Sequence, residues 1–280
     1  ADVPLIDRAS SVVGHVVTPD TMQEIPLNGQ HFTDLGLLGP GSVAPSQTGF
    51  STTPIRGMGA LAINTAGNRE EAVGFLVNGV TSNNLTFGAL MFEPPIASIQ
   101  EFKIDNSVFS AEYGHVSGAV INIVTRSGSD RLHGDAHGFL RHDALDAPNY
   151  FEPPSSEPHP FQRYQYGGSV GGPFVRGKGY FFATFDGLRQ RQGLDMNSLV
   201  PSDAQRLPAT DPAARRLIEL VPRANGVDAD GTPRFVGAAS ATADLDRWTI
   251  DLRQRSGPDS QLHGYYGWQR TMAIEPGSRG

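Results

Sequence analysis

The stretch SAEYGHVSGAVINIVTRSGSDRLHG, residues 110–134, joins two different kinds of sequence. Ala119–Thr125 (AVINIVT) is apolar and rich in β-branched residues, which favours a buried strand. A polar turn with glycine follows, and then a segment, LHGDAHGFLRH, with small or apolar residues on one face and mostly polar residues on the other. The stretch therefore predicts a boundary near residue 128, with a core strand before it and a half-exposed strand after it.

The residues before this boundary have the pattern of a small mixed α/β domain. Residues 31–38 predict a short helix that ends at a Gly-Pro-Gly sequence. VGFLVN, residues 73–78, is an apolar run closed by Asn78 and Gly79, which predicts a strand entering a type I′ turn. IQEFKID, residues 99–105, alternates between two faces and predicts a half-exposed strand.

The residues after the boundary contain several segments of alternating hydrophobicity. Such segments, of about ten residues with aromatic side chains towards their ends, are typical of a membrane β-barrel, although a soluble β-sandwich has the same alternation. The segments cover residues 132–142, 162–172, 179–188, 245–254 and 261–269. Residues 143–161 and 196–243 form long connections, as the extracellular loops of a barrel do. The second connection includes an amphipathic helix with Asp211 as its cap and Pro212 at its first position.

Composition excludes several classes of protein. The 280 residues include 33 Gly and 21 Pro, roughly a fifth of the chain, which is above average usage and favours turns and strands. The net charge of −7 argues against nucleic-acid binding, and the lack of cysteine excludes disulfides and thiolate metal sites. No apolar run reaches the length of a membrane-spanning helix. The first residues, ADVPLIDRASS, do not have the pattern of a signal peptide.

Two short motifs match the sequence patterns of enzyme sites but do not have the secondary structure that those sites require around them. Gly57, Gly59 and Ala62 resemble a dinucleotide fingerprint, which needs a hydrophobic strand before it, whereas the preceding residues are polar and include a proline. GGSVG, residues 167–171, fits the nucleophile pattern of serine hydrolases around Ser169. That pattern needs a helix directly after the serine, and Gly172-Pro173 prevents one. We expect glycine-rich backbone at both places.

A metal site is a further alternative. His133, Asp135 and His137 lie at alternate positions and therefore on one face of a strand, where imidazole and carboxylate groups can bind a transition metal. Three polar side chains facing the wet interior of a barrel explain the same pattern. We therefore expect no metal site, no cofactor and no catalytic residues.

The order of the segments resembles the plug domain of TonB-dependent outer-membrane receptors. LVNGV (76–80), IASIQEFKI (96–104) and SAEYGHVSGAVINIVTRSG (110–128) are similar to three successive motifs of that plug. These are a strand with an Asp/Asn-Gly turn, an I-x-x-I-E strand and a Y-G-x-x-x-x-G-V-I-N-I-V-T segment. Asn78 stands where the family has an aspartate, and asparagine also suits the turn.

A narrower resemblance is to the Oar-like branch of these receptors. Five motifs occur in the expected order: IPLNGQHFTDL (25–35), the segment that begins with SAEYG (110–114), HGDAHGFLRHDALDAPNYF (133–151), QYGGSVGGP (165–173) and YFFATFDGLRQRQG (180–193). The resemblance covers about residues 3–201 and fades beyond them. Members of this branch usually carry a carboxypeptidase-regulatory-like β-sandwich before the plug, and neither this domain nor a TonB box is expected within the present residues.

The resemblance implies an α+β plug domain at residues 1–128, followed at residues 129–280 by about five antiparallel strands of a transmembrane β-barrel. Because plugged barrels have about 22 strands, the barrel is expected to be incomplete and the chain a fragment. The implied function is energised uptake across the bacterial outer membrane. The implied partners are TonB, through a region outside this chain, the surrounding lipid, and an extracellular ligand such as a peptide or a glycan. The ligand-binding residues and the oligomeric state are not readable from the sequence.

Two other functions remain open at this point. A soluble β-rich binding or adhesion module would fold alone in water without detergent. A serine hydrolase would lose its activity when Ser169 is replaced by alanine. The order of the five motifs favours the receptor over both.

Overall fold

A computed structural model gives the fold of the chain. It describes residues 13–18, 21–22, 25, 27, 29–43, 63–69, 72–84, 90–106, 109–114, 116–146, 160–206, 211–228, 230–257 and 259–274. Within these ranges, no helix is long and apolar enough to cross a membrane. The strands are β1 (Val13–Val17), β2 (Ser42–Val43), β3 (Asn64–Thr65), β4 (Gly74–Val77), β5 (Val80–Thr81), β6 (Ile99–Asn106), β7 (Ala119–Thr125), β8 (His133–His142), β9 (Phe161–Val175), β10 (Gly179–Leu199), β11 (Gly226–Val227), β12 (Pro233–Arg255) and β13 (Gln261–Ile274).

The helices are short. Within the described residues, 3-10 helices lie at Phe32–Leu38, Ile96–Ser98 and Asp143–Leu145. The α-helices α1 (Asp203–Arg206) and α2 (Pro212–Leu220) lie in the described part of the connection between β10 and β12. The Asp211 carboxylate accepts hydrogen bonds from the first backbone N–H groups of α2, as the sequence predicts.

The N-terminal sheet has the strand order β1-β6-β7-β4-β5. Its pairs are antiparallel except β4 with β7, which are parallel. The predicted core strand is β7, whose Ala119, Val120 and Ile121 are fully buried. The ring of Phe32, in the first 3-10 helix, packs edge-on against Phe102 of β6 at 5.5 Å. A mixed sheet with short helices packed against it therefore forms the first part of the molecule.

The turn between β4 and β5 confirms the type I′ prediction. Asn78 and Gly79 have φ angles of 51° and 80°, and both central residues of a type I′ turn need positive φ. Asparagine and glycine adopt this backbone most readily.

The C-terminal sheet is antiparallel, and its long strands run in the order β8-β9-β10-β12-β13, with β11 paired to one end of β12. All of the predicted strands are present. Four of them are longer than predicted, because β9 extends to Val175, β10 to Leu199 and β13 to Ile274, and β12 begins at Pro233. The predicted connection at residues 196–243 therefore shrinks to residues 200–232. Short turns lie at one end of this sheet, at residues 176–178 and 256–260, and the longer connections lie at the other.

The two faces of the C-terminal sheet differ sharply. One face packs against the N-terminal sheet, and its Phe182, Thr184 and Leu188 on β10 are buried. The other face exposes large apolar side chains, namely Phe185, Ile250, Leu252, Tyr266 and Trp268. Further along the same face, towards the long connections, the apolar residues give way to cross-strand ion pairs. These pairs are Arg189 with Asp246 at 2.6 Å and Arg191 with Asp244 at 2.5 Å.

Candidate functional site

The contact between the two sheets is polar at its centre. The alternation of β10 and β12 directs Asp186, Arg247 and Asp251 towards the N-terminal sheet, and each of them is at most 4% exposed. Buried charges are costly unless they are paired and hydrogen-bonded, so their partners define the contact.

Arg247 joins a carboxylate from each part of the molecule. Its Nη1 donates to Glu93 Oε2 over 2.7 Å. Its Nε and Nη2 donate to Asp186 Oδ2 over 2.9 and 2.8 Å. Glu93 lies in the segment before the Ile96–Ser98 helix, on the N-terminal side of the molecule. The guanidinium fork suits two carboxylates at once, because its donors point in fixed directions.

A histidine extends this arrangement at each end. His31 Nδ1 lies 3.0 Å from Glu93 Oε2, and His137 Nε2 of β8 lies 3.3 Å from Asp186 Oδ1. We call these five residues the charge network. Burial alone would raise the pKa of the Glu93 carboxyl, but His31 and Arg247 outweigh burial and hold that pKa below its ordinary value. Glu93 is therefore an ionised carboxylate at neutral pH.

A second contact holds the end of β7 against the C-terminal sheet. Thr125 Oγ1 donates to Asp251 Oδ2 over 2.8 Å, and Arg253 Nη2 donates to the backbone oxygen of Thr125 over 3.2 Å. Asp251 also contacts His263 Nε2 on β13 at 2.7 Å. From the other side, the Asn78 amide donates to Thr125 Oγ1 over 2.8 Å and accepts from the Thr125 N–H over 3.0 Å. Thr125 is therefore held both by its own sheet and by the other one.

Two of the three candidate metal residues lie close together, with His137 Nδ1 3.9 Å from Asp135 Oδ2, but the shorter contacts of all three are to other groups. His133 Nδ1 contacts the backbone oxygen of Arg131 at 2.9 Å, Asp135 accepts a hydrogen bond from Ser169, and His137 contacts Asp186. Among the described residues, no group of three or more His, Asp or Glu side chains is arranged to hold a metal ion.

The candidate nucleophile lies in the middle of a strand. Ser169 belongs to β9, and its hydroxyl donates to Asp135 rather than to a histidine. A nucleophile elbow needs a sharp turn from strand to helix, which β9 does not provide. The Gly57-x-Gly59-x-x-Ala62 motif lies outside the described residues.

Sequence reasoning missed the charge network. The alternation of β12 assigns Arg247 and Asp251 to a polar face, and that face was expected to meet water inside a barrel. It meets Glu93 and Thr125 instead. The sequence does place Arg247 on the strand face opposite to that of Trp248 and Ile250. This alternation alone does not identify the residue with which Arg247 pairs.

Comparisons with known proteins agree with this architecture. Residues 124–210 match a family described as an outer membrane beta barrel domain. The TonB-dependent transporter Oar of Myxococcus xanthus is 25% identical over 191 residues, which cover 65% of this chain and 17% of that protein. The chain is related to the TonB-dependent outer-membrane receptors.

Solved structures show the same fold. The ferric enterobactin receptor PfeA of Pseudomonas aeruginosa, a variant in complex with enterobactin, has a TM-score of 0.57 and 14% identity. This match covers 95% of the present chain and 34% of the receptor chain. The same receptor in complex with BCV-L6 has a TM-score of 0.53 and 16% identity, covering 94% and 33%. The present chain thus spans about a third of the receptor chains that it matches.

These matches confirm the predicted fold class, a plug followed by antiparallel barrel strands, and in the described residues the barrel is not closed. They also indicate that the protein is located in the bacterial outer membrane. The proteins to which this chain is similar are named as transporters and receptors, which agrees with the predicted class and not with a serine hydrolase.

Proposed function

We propose that this chain is the plug and the first barrel strands of a receptor that takes up an extracellular ligand with energy delivered by TonB. The plug comprises residues 1–128 and the barrel part residues 129–280. The change of sheet between Thr125, the last residue of β7, and His133, the first of β8, supports this division.

The buried charge network is the main observation that supports the proposal. A plug must close the barrel and must also be displaced during transport, so its contacts with the barrel have to be specific and separable. A buried ion pair is such a contact, because it depends on the direction of its partners as well as on burial. Glu93 and Arg247 make such a contact. The exposed apolar face of the C-terminal sheet supports a position in lipid, because a membrane barrel directs apolar residues outward.

TonB binds through a region outside this chain, and the ligand is an extracellular solute whose class the test identifies, with peptides and glycans tested first. The test uses the bacterium that encodes the full-length receptor. Cells with the receptor, cells without it and cells without TonB are grown on a mixture of peptides and oligosaccharides, and the loss of each solute from the medium is measured by mass spectrometry.

We expect at least one solute to be removed only when both the receptor and TonB are present. Removal that depends on the receptor but not on TonB would contradict energised uptake. If no solute depends on the receptor in any of these cells, a binding or adhesion role becomes the better explanation.

A further inference from the structure

A cavity of about 620 Å³ separates the plug from the plug-facing surface of β8 and β9. On β8 its lining runs from Asp135 to Arg141, a length of roughly 20 Å at about 3.3 Å per residue. Arg126, in the link between β7 and β8, also lines it. This link lies at the short-turn end of the barrel strands, where Asp130 accepts a hydrogen bond from the Gly177 N–H over 2.9 Å. The cavity therefore extends along most of β8, from the short turns towards the long connections.

On β12 and β13, by contrast, the plug is in direct contact with the strands. Glu93 and Arg247 form their buried ion pair there at 2.7 Å. Tyr265 of β13 packs against the hydrophobic core of the plug. The fit is also close at Gly267, where a Cβ atom would lie 2.6 Å from the ring of Phe92. The plug is thus held closely by one pair of strands and separated by a cavity from another pair.

This asymmetry determines where the plug separates from the wall at the lower cost. Pulling packed surfaces apart removes their dispersion contacts, and pulling a buried ion pair apart leaves each charge without its partner. A surface that already borders a cavity has fewer such contacts to lose. The plug therefore separates more readily from β8 and β9 than from β12 and β13.

The plug side of the cavity ends in a turn with unfavourable backbone. Met22 and Leu27 contribute apolar side chains to this side, and Gly29 and Gln30 follow them. Gly29 and Gln30 have φ angles of 85° and 54°. Left-handed backbone is unfavourable for a residue with a Cβ atom, so Gln30 keeps this conformation only because its surroundings impose it. Movement of the plug away from β8 and β9 would release that constraint.

The lining of the cavity is chemically mixed. Asp135 and Arg141 carry opposite charges, Phe139 and Leu27 are apolar, and Gln165 is a neutral amide. A site that holds one class of ligand tightly has a few polar groups that converge on it within an apolar pocket. A passage must instead bind its solute weakly enough to release it again. The mixed lining therefore suits a passage better than a tight binding site.

We propose that the passage for the solute opens between the plug and the surface of β8 and β9, before the plug separates from β12 and β13. Phe139 and Gln165 are then wall residues that the solute meets on its way. This proposal rests on the proposed uptake function, because it gives the route of the same transport.

The test uses cysteine substitution, since this chain contains no cysteine of its own. Gln165→Cys places a thiol on β9 at the cavity, and Thr249→Cys on β12 is the matched control. Both side chains face the plug, and the two residues are 7% and 2% exposed. Ala97→Cys gives a second cavity position, on the plug side. The variants are made in the full-length receptor, with any cysteine outside this chain replaced by serine, and circular dichroism checks that each is folded.

The probe is a thiol reagent that does not cross membranes. It is added to cells with and without TonB in the solute mixture of the uptake test. We expect TonB to speed the modification of Gln165→Cys and Ala97→Cys at least tenfold and to leave Thr249→Cys slow. Equal acceleration at all three positions would mean that the plug leaves the barrel as a whole. Faster modification of Thr249→Cys would place the passage at β12. Either result would overturn the proposal.

Blocking the passage gives an independent measurement. A bulky maleimide attached to Gln165→Cys should stop the uptake of any solute that requires both the receptor and TonB. The same maleimide attached to Arg223→Cys, an exposed position in the connection between β10 and β12, should leave that uptake unchanged. Uptake at the wild-type rate with Gln165→Cys fully modified would contradict this route.

Failure of the route is distinguishable from failure of the proposed function. If a solute is taken up in a TonB-dependent manner while neither cavity thiol responds to TonB, the route is wrong and the uptake function stands. If the cavity thiols respond to TonB but no solute is taken up, the opening at β8 and β9 stands and the uptake function is wrong. If neither the thiols nor the uptake of any solute depends on TonB, both proposals are wrong.

Discussion

At the scale of single residues, Glu93 makes a buried ion pair between the N-terminal part of the molecule and β12. It is 3% exposed and accepts contacts from both His31 and Arg247. Removing one partner of a buried ion pair leaves the other charge uncompensated, which is more costly than the pair itself is stabilising.

Replacing Glu93 with Gln should therefore destabilise plug seating by about 3 kcal/mol, since Arg247 loses one of its two carboxylates in a buried site. Hydrogen exchange of β6 and β7 in the full-length receptor measures this change. Arg223→Gln serves as the control, because its ion pair with Asp203 is about 80% exposed and such pairs contribute almost nothing. Equal exchange in the two variants would show that the charge network does not hold the plug.

Asn78 shows why a departure from the family pattern is consistent with this fold. Its amide both donates to and accepts from Thr125, whose hydroxyl also donates to Asp251. An aspartate at position 78 could not donate, and its charge would lie across the Thr125 hydroxyl from the Asp251 carboxylate. Asparagine therefore satisfies the turn and avoids a repulsion between plug and barrel.

At the scale of elements, the link from β7 to β8 is tightly fitted. A Cβ atom at Gly128 would collide with the backbone oxygens of Phe181 and Gly172, which belong to β10 and β9. These atoms are fixed by strand pairing and cannot move aside without cost. The link is therefore seated against the barrel strands at a point where only glycine fits.

Replacing Gly128 with Ala should destabilise the receptor by about 1 to 3 kcal/mol, as other forced overpacking does. The midpoint of denaturant unfolding of the full-length receptor reports the change. Gly138→Ala in β8 is the matched control, because a Cβ atom there meets no atom within 4 Å. If both alanine variants unfold at the wild-type midpoint, the backbone around residue 128 accommodates a Cβ atom without cost, and the predicted overpacking is wrong.

The strand positions were predictable from alternation, but several strand ends were not, and β10 shows why. Beyond Leu188, β10 carries Arg189, Gln190 and Arg191, so both of its faces are polar and the alternation disappears. The backbone pairing nevertheless continues as far as Leu199 with Arg234. Pairing depends on a neighbouring strand, which a pattern within one segment cannot reveal.

β6 shows a second limit of alternation. The pattern assigns Ile99 to the same face as Glu101, yet Ile99 is fully buried and Glu101 is exposed. The pairing register with β7 shifts between these two residues, which rotates Ile99 into the core. The charge network was unpredictable for a related reason, because Glu93 and Arg247 are 154 residues apart and meet only through the fold.

At the scale of the whole molecule, the seating of the plug should depend on pH. The pKa of Glu93 lies below its ordinary value of 4.5 in the folded receptor. A lowered pKa means that ionised Glu93 stabilises the seated plug above pH 4.5, and that this contribution is lost as the pH falls through the lowered pKa. Acidification should therefore loosen the plug.

Protease sensitivity of the plug, measured in the full-length receptor between neutral pH and the acid range, tests this expectation. Other carboxylates titrate in the same pH range. The informative quantity is therefore the difference in protease sensitivity between the wild type and the Glu93→Gln variant. That difference should be large at neutral pH and should shrink below pH 4.5. A difference that stays constant with pH would rule out ionisation of Glu93 as its source.

The length of β10 has a consequence for where the receptor meets its ligand. Its 21 residues correspond to roughly 70 Å of strand, or about 50 Å of height at a tilt of about 45°, against a hydrocarbon layer of about 30 Å. The ion pairs of Arg189 and Arg191 begin where the outward apolar face ends. The barrel strands therefore project into water by a distance on the order of one bilayer leaflet or more. Under the proposed uptake function, a solute would first contact the part of the strands that projects beyond the lipid surface, and would then pass along the inside of these strands to reach the plug.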